Sequence, residues 1–430
     1  MKFLALFALL LPLPAAELLP PGAGIERTMG RLAACKANNP DTVRILFYGQ
    51  SITKQAWWRT VADYLRQRFP ACKLVIENRA IGGYSTPRLV RTMEADILPF
   101  HPDLVIFHDY GPEDLYEQII LWVRAHTTAD ILLQSDHDTG RNVEAQDKHS
   151  FAWMPALARK YGLGLVDIRG GWQRHLRETG KAPKDLLRDN VHLNADGEAL
   201  YAQLTIAALV DNGQRPAPYF EEFPIGPDRM SRSDELTLDF VGTRVELLDG
   251  IGGPLQVFVD GKPPAVNPAL YYHSRPTNTW DADWPGIMHI GRTPNAFPYI
   301  EEWTLKVTAK KEPNGLKHDF ELYGSRTGPD GKGNNKQPFR SISGRVTIAP
   351  EDYDIERAYG LRKIDMPNSW QVRWATLPRF VDPYLPVAGP TTVVYGLKPG
   401  KHRLVLRGPG RVARIRIYNP PLAKKENPKP

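Results

Sequence analysis

Apolar and polar positions divide the chain near residue 211 into two halves of different period. In the first half, short β-branched runs alternate with longer segments of helical spacing. The runs fall at 43–48, 73–77, 104–108, 131–134 and 163–168. Helices are predicted between them at 55–68, 86–97, 114–125, 144–161 and 171–179, with a last one at 194–210. Helices of this length between apolar strands imply βαβ units, hence a parallel sheet covered on both faces. Right-handed crossovers then bring the carboxyl ends of the strands, with their loops, to one edge. Trp57 and Trp58 lie on the helix after the first strand, and at least one belongs in the core.

Beyond the turn-rich stretch 212–218 the period becomes two. Alternating runs recur at 235–240, 245–248, 255–259, 303–308, 319–323, 344–348, 370–374, 391–395, 402–406 and 412–417. Gly, Pro and Asn turns separate them, and no helix is expected among them. This pattern predicts an all-β sandwich, jelly-roll-like in kind. The fold class is therefore α/β, a parallel sheet with helices, followed by all-β. The expected boundaries are a leader at 1–16, an α/β domain at 17–211, a linker at 212–230, a sandwich at 231–420 and a disordered tail at 421–430.

The leader reads Met1-Lys2, then an apolar run at 3–13, then small residues at Ala15-Ala16. A basic start, a short apolar core and a small-residue cleavage site mark a segment for export. The run is shorter than the roughly 20 residues that a membrane span requires. A soluble exported protein, periplasmic or extracellular, with no integral membrane segment after leader removal, is the expectation. Cys35 and Cys72 can pair in an oxidising compartment, and neither has metal-ligand spacing. The net charge of +7 is spread along the chain, which argues against nucleic acid and is compatible with acidic polymers.

Candidate chemistry begins where the first strand ends, at Phe47-Tyr48-Gly49-Gln50-Ser51-Ile52-Thr53. Such a step sets a serine hydroxyl at a strand's carboxyl end, facing backbone N–H groups. Far downstream, Asp189-Asn190-Val191-His192 supplies what a serine lacks. An imidazole takes the hydroxyl proton, and a nearby carboxylate fixes the tautomer that allows it. An isolated Asp-x-x-His is ordinarily a turn cap and a surface histidine. The serine turn and the glycine loop at Ile81-Gly82-Gly83 put catalysis ahead of that reading.

Over roughly residues 41–211 these motifs resemble the SGNH (GDSL-type) hydrolases, serine esterases and lipases. The resemblance implies a flavodoxin-like three-layer fold and cofactor-free ester hydrolysis. Gly49-Gln50-Ser51 stands where the family has Gly-Asp-Ser. The stretch from Asn78 to Gly83 matches its Asn-containing turn, which places the oxyanion glycine at Gly83. Asp189 and His192, followed by Leu193-Asn194-Ala195-Asp196-Gly197, match its last motif. Ser51 is then the nucleophile, His192 the base and Asp189 its orienting acid, with Ser51 and Gly83 N–H groups holding the oxyanion.

One motif departs. The family's Gly-x-Asn-Asp, whose Asn donates to the oxyanion, reads Tyr110-Gly111-Pro112-Glu113-Asp114 here. Glu113 falls where Asn belongs, and a carboxylate cannot donate. Losing one such donor costs on the order of 2.7–4 kcal/mol of transition-state stabilisation. Three readings follow: a substitute donor, for which the Tyr110 hydroxyl is the candidate; backbone donors alone; or a weak or silent enzyme. The first is favoured because nucleophile, base and acid are intact.

Asp136, His137 and Asp138 follow the fourth strand and are expected as solvated loop, with no metal. In the second half, Trp280, Asp281, Asp283 and Trp284 form a candidate sugar-binding cluster, with packing and an acidic turn as the equal alternative. Asp330 is expected at a hairpin tip. The expected function is an exported serine esterase removing acyl, above all acetyl, groups from a carbohydrate. Its partner is an acylated carbohydrate and its cofactor none. A lipase or thioesterase with a long apolar pocket, and a silent carbohydrate-binding protein, stay open beside it.

Overall fold

The structure, a computed structural model, describes residues 19–423 except 39, 227–233, 281, 283, 313–314 and 363–366. The expected leader lies outside the described residues, as does the tail from 424 on. The first half runs α1 (Glu26–Ala34), β1 (Thr42–Gly49), α2 (Ser51–Lys54), α3 (Trp57–Arg68), β2 (Lys73–Asn78), α4 (Thr86–Ile97) and β3 (Leu104–His108). It continues with α5 (Glu113–His126), β4 (Asp130–Gln134), α6 (Val143–Lys148), α7 (Met154–Tyr161), β5 (Gly164–Val166), α8 (Ile168–Thr179) and α9 (Ala195–Ala208). The helix expected at 144–161 is thus broken, with a π-turn at His149–Trp153 between α6 and α7.

The five strands are parallel in the order β2-β1-β3-β4-β5. Alternation along β1 sorts side chains to opposite faces. Val43, Ile45 and Phe47 enter a core with α1, α3, α8 and α9. Leu46 and Tyr48 enter a second core with α4, α5 and α7. The chain leaves β1 for β2 on one side and later returns to β3 on the other. That reversal opens a crevice at the carboxyl ends of β1 and β3, where such sheets bind ligands.

The helix α1 was not foreseen. It ends at Cys35, which is disulfide-bonded to Cys72 just before β2, with Cα atoms 5.4 Å apart. The crosslink spans a sequence separation of 37, and chain entropy assigns a loop of that size about 3–4 kcal/mol. Cys35→Ala/Cys72→Ala is expected to lose about 2–4 kcal/mol in urea unfolding. Reductant should lower the wild-type midpoint and leave that of the double variant where it is.

The second half holds two β cores rather than one. Strands Pro390–Tyr395, Arg244–Leu248, Arg414–Tyr418 and Phe220–Pro224 form one antiparallel sheet. Glu235–Val241, Lys401–Arg407 and Gln256–Val259 form another, and side chains such as Leu247, Ile415, Leu404 and Val257 share a core. Phe220–Pro224 lies inside the expected linker and belongs to the first of these sheets. Between Val259 and Pro390 the chain builds a further unit, while Leu270 and Tyr384 of this stretch join the first core. The unit's long strands Glu301–Glu312, Gly315–Gly324 and Ser369–Pro378 carry a core of Trp303, Leu305, Phe320, Trp370 and Trp374. Asp330 sits in a strand of this unit, Gly328–Asn334. It is buried and accepts from Ser343 N–H and Oγ at 2.7 and 2.6 Å, not at an open tip. A helix, α10 (Ile355–Arg362), interrupts the strands where none was expected.

This inserted unit is fastened along α4. Arg88 pairs with Asp354 at 3.0 Å and Arg275 with Asp96 at 3.2 Å, while Arg91 pairs with Asp352 and Arg379 with Glu94. Asp96, Asp352 and Asp354 are buried. Each therefore depends on its arginine, since a buried carboxylate without its partner is strongly destabilising. Trp284 and Met288 of the insert complete the apolar core on the α4 side of the sheet.

Candidate active site

Ser51 opens α2 directly after β1. Gly49 makes this step possible: its φ is +147°, and a Cβ there would stand 2.0 Å from the His108 carbonyl oxygen. β1 and β3 can thus cross closely where the serine turns out of the sheet. The Ser51 Oγ lies 2.9 Å from His192 Nε2, and His192 Nδ1 lies 2.8 Å from Asp189 Oδ2. The other oxygen, Oδ1, accepts from the N–H groups of Val191 and His192, each at 2.8 Å. Asp189 thereby orients the ring and folds the loop that carries it.

Partial burial pushes the Asp189 carboxyl up, but the backbone N–H groups of His192 and Val191 and the imidazole outweigh it. The carboxyl is held at about 2. An ionised Asp189 requires the proton on Nδ1, which leaves Nε2 free to accept from the serine. The site is open: the side chains of His192 and Asp189 are 26% and 48% exposed.

Gln50, in the place of the family's aspartate, organises the floor. Its Oε1 accepts from the Ile52 N–H at 3.0 Å and lies 2.8 Å from the Ser51 Oγ, where it competes with His192 Nε2 for the one hydroxyl proton. The Ile52 donor fixes the amide's orientation, since a flip would point NH2 at that N–H. Its Nε2 then donates to His108 Nδ1 at 3.1 Å. That bond places the His108 proton on Nε2, which faces Asp136 Oδ1 at 3.2 Å. Gln50 thus holds the nucleophile's rotamer through an amide oxygen, a far weaker base for the serine proton than the imidazole of His192.

Residues 136–138 are buried rather than solvated. His137 Nε2 donates to the carbonyl of Val191 at 2.8 Å, inside the Asp189–His192 loop. Burial and the neighbouring His108 push the His137 ring down to about 4, so it stays neutral and holds that loop from behind. Asp138 Oδ1 caps the turn at Gly140 N–H, 2.8 Å away. These contacts were not legible because β4 and the catalytic loop are brought together only by the sheet.

Gly83 has φ +80° and belongs to the loop after β2. Among the described residues, neither its N–H nor that of Ser51 is taken by a backbone carbonyl. A Cβ on Gly83 would stand 3.0 Å from Leu361 Cδ1 and 3.2 Å from the Trp284 ring. Its carbonyl accepts from Arg357 at 3.2 Å. The inserted unit therefore packs directly on the oxyanion loop. Asn78 supports that loop's base, donating to Thr53 O at 2.7 Å and accepting from Ala80 N–H at 2.9 Å.

Among the described residues, no hydrogen bond joins the remaining candidates to the triad. Glu113 opens α5 and pairs with His149 at 3.1 Å. Tyr110 packs edge-on against His108, ring centroids 5.0 Å apart, and its buried hydroxyl has no partner among the described residues. Trp284 is 1% exposed and meets Tyr84 edge-on at 5.1 Å, so it offers no open platform for a sugar. Trp280 is partly buried between two cores. Asp281 and Asp283 lie outside the described residues. Trp57 is a core residue, donating to Ile52 O at 2.6 Å. Among the described residues no three His, Cys, Asp or Glu side chains are grouped to hold a metal ion. No helix among them is long and apolar enough to cross a membrane.

Residues 47–200 match the model of the GDSL-like Lipase/Acylhydrolase family, a span that includes Ser51, Gly83, Asp189 and His192. No curated protein matches the chain. Among solved structures, a two-domain esterase (CEX) active on acetylated mannans is 14% identical. That match covers 91% of this chain and 95% of that one, with a TM-score of 0.36. Axe2, an acetylxylan esterase from Geobacillus stearothermophilus, is 17% identical over 39% of this chain and 94% of its own, TM-score 0.35. The acetyl xylan esterase AlAXEase is 20% identical over 39% of this chain and 100% of its own, TM-score 0.34.

Proposed function

Taking residues 47–200 as a GDSL-like acylhydrolase segment, we propose that the protein is an exported serine esterase. It removes acetyl groups from a polysaccharide or oligosaccharide. The observation that carries this is the unbroken relay from Asp189 through His192 to Ser51. The Ser51 Oγ attacks the ester carbonyl as His192 Nε2 takes its proton. The oxygen becomes an oxyanion facing the N–H groups of Ser51 and Gly83. Its collapse expels the sugar oxygen, which receives the proton from His192. Water, deprotonated by the same nitrogen, then attacks the acetyl-enzyme and releases acetate and Ser51.

The carbohydrate part rests on the expected leader, the β-rich second half and the open triad. A catalytic histidine partly open to solvent suits a small acyl group carried on a large polar chain, whereas a lipase encloses a long apolar one. The test is release of acetate from acetylated xylan and mannan beside hydrolysis of p-nitrophenyl acetate and palmitate. Acetate release with no turnover of palmitate is expected. Preference for palmitate would return the lipase reading, and inertness to every ester the binding-protein reading.

A pH profile tests the relay separately. The Asp189 carboxyl, held at about 2, stays ionised across the assay range and adds no step to the acid side of the profile. The logarithm of kcat/KM should fall there with a slope of one. A slope of two would mean that the Asp189 carboxylate takes up its proton within the assay range.

A further inference from the structure

Along α4, on the seam between the α/β half and the inserted unit, lies a cavity of about 150 Å³. One wall is Arg91, Glu94 and Ala95 of α4, and the other is formed by Tyr271, Tyr272, His273 and residues 288–292. Its volume is about five times the share of one water in the liquid. It is smaller than the roughly 300 Å³ at which pockets for drug-sized ligands begin. One sugar ring or a smaller molecule is what such a space holds.

Its lining holds three arginines, Arg91, Arg292 and Arg379, and one carboxylate, Glu94. Arg379 lines the cavity, pairs with Glu94 through one nitrogen, and is nine-tenths buried. Its Nε–H is buried with no partner among the described residues. Arg91 is matched by Asp352 and also stands 3.9 Å from Glu351. Arg292, also in the lining, has no hydrogen bond or ion pair among the described residues. Burial and the like charge of Arg379 push its guanidinium down from its ordinary value, the direction expected of a cation short of an anion. His273, pushed down to about 4 by burial, is neutral, with its ring nitrogens spent on Arg345 O and Thr376 Oγ1 at 3.2 Å each. His289 stands 3.9 Å from Asp352.

Two arginines with donors to spare face a space walled by tyrosine and histidine rings. We infer that this cavity is a binding site for a carboxylate, with Arg292 and Arg379 as its anion-holding groups. Guanidinium pairs with carboxylate through parallel N–H donors, and the aromatic walls offer faces to a sugar ring. The carboxylate can be that of a sugar acid within a polymer, or a free acid such as the acetate that an esterase of this kind would release. From Ser85 to Arg91 α4 rises about 10 Å. The cavity is thus about two sugar residues along α4 from the oxyanion loop.

The site is independent of the esterase reading, and calorimetry on the full chain reads it without turnover. Sodium glucuronate, glucose and sodium acetate are titrated into the wild type, Arg292→Met and Arg292→Lys. Glucuronate is expected to bind at least tenfold tighter than glucose. Arg292→Met should weaken that binding at least tenfold, Arg292→Lys should restore part of it, and both should hydrolyse p-nitrophenyl acetate as the wild type does. Acetate binding as tightly as glucuronate, and lost in Arg292→Met, identifies the free acid as occupant; glucuronate alone identifies the sugar acid. No saturable binding of either carboxylate, or binding that Arg292→Met retains, overturns the site.

Discussion

Ser51→Ala is expected to lower kcat on p-nitrophenyl acetate by roughly 10⁴- to 10⁶-fold, the range of nucleophile removal from other serine triads. The geometry gives no second route. Ser51 Oγ is the hydroxyl bonded to His192 Nε2, and the Gln50 oxygen beside it is an amide, without a nucleophilic lone pair to offer at neutral pH. The substitution deletes one oxygen at a half-buried position and removes no apolar contact, so the melting temperature should stay within a few degrees. Asp189→Asn tests the same relay from its other end. The amide would satisfy the loop's N–H donors through its oxygen but could present NH2 to the ring, favouring the wrong tautomer, and about 10⁴-fold of kcat should be lost. A Ser51→Ala protein that kept a tenth of the activity would place the chemistry elsewhere in the crevice.

The α/β half was legible because its rule is local. Residues 104–108, a run of apolar positions, and 86–97, of helical period, correspond to the residue with β3 and α4. The serine turn, glycine loop and Asp-His loop each carry a local signature, and a parallel sheet with right-handed crossovers brings them to one edge whatever the remaining details. What escaped depended on long-range contact. His108 ends a strand like any other buried residue; its bond to Gln50 follows only from β1 lying beside β3. The acidic cluster at 136–138 looked like a solvated loop because sequence alone cannot show that Arg169, fully buried, and the Val191 carbonyl supply its partners. In the second half the period of two is the same for one sandwich or for two β units, so the pattern could not reveal that 260–389 forms an insertion with its own core. Trp284 shows the same limit: an indole flanked by acidic residues reads as a sugar platform until its burial is known.

That burial makes Trp284 the second large expected effect. Trp284→Ala is predicted to lower kcat about 10²-fold while KM changes less than threefold, the signature of a group that supports transition-state charge rather than ground-state binding. The indole lies against Gly83, and Tyr84 meets it edge-on at 5.1 Å. The Asn278 side chain donates to the Trp284 carbonyl at 2.8 Å and fixes the backbone beneath it. Gly83 has no side chain to hold it in place, and its φ of +80° is one that glycine adopts without strain but does not require. The turn bond from Tyr84 N–H to the Ile81 carbonyl at 3.1 Å closes the loop, and Trp284 and Leu361 pack on the face of Gly83 where a Cβ would stand. Removing the indole leaves a cavity in a core shared by both halves, at about 3–5 kcal/mol of stability. The assay accordingly needs a temperature below the variant's own melting point, with near-ultraviolet circular dichroism to show native packing. Trp284→Phe keeps a ring against Gly83 and should recover most of kcat even if it remains less stable than the wild type. A folded Trp284→Ala protein with kcat within twofold of wild type would mean that the loop holds its N–H unaided. The inserted unit would then be a neighbour of the oxyanion hole and no part of its support.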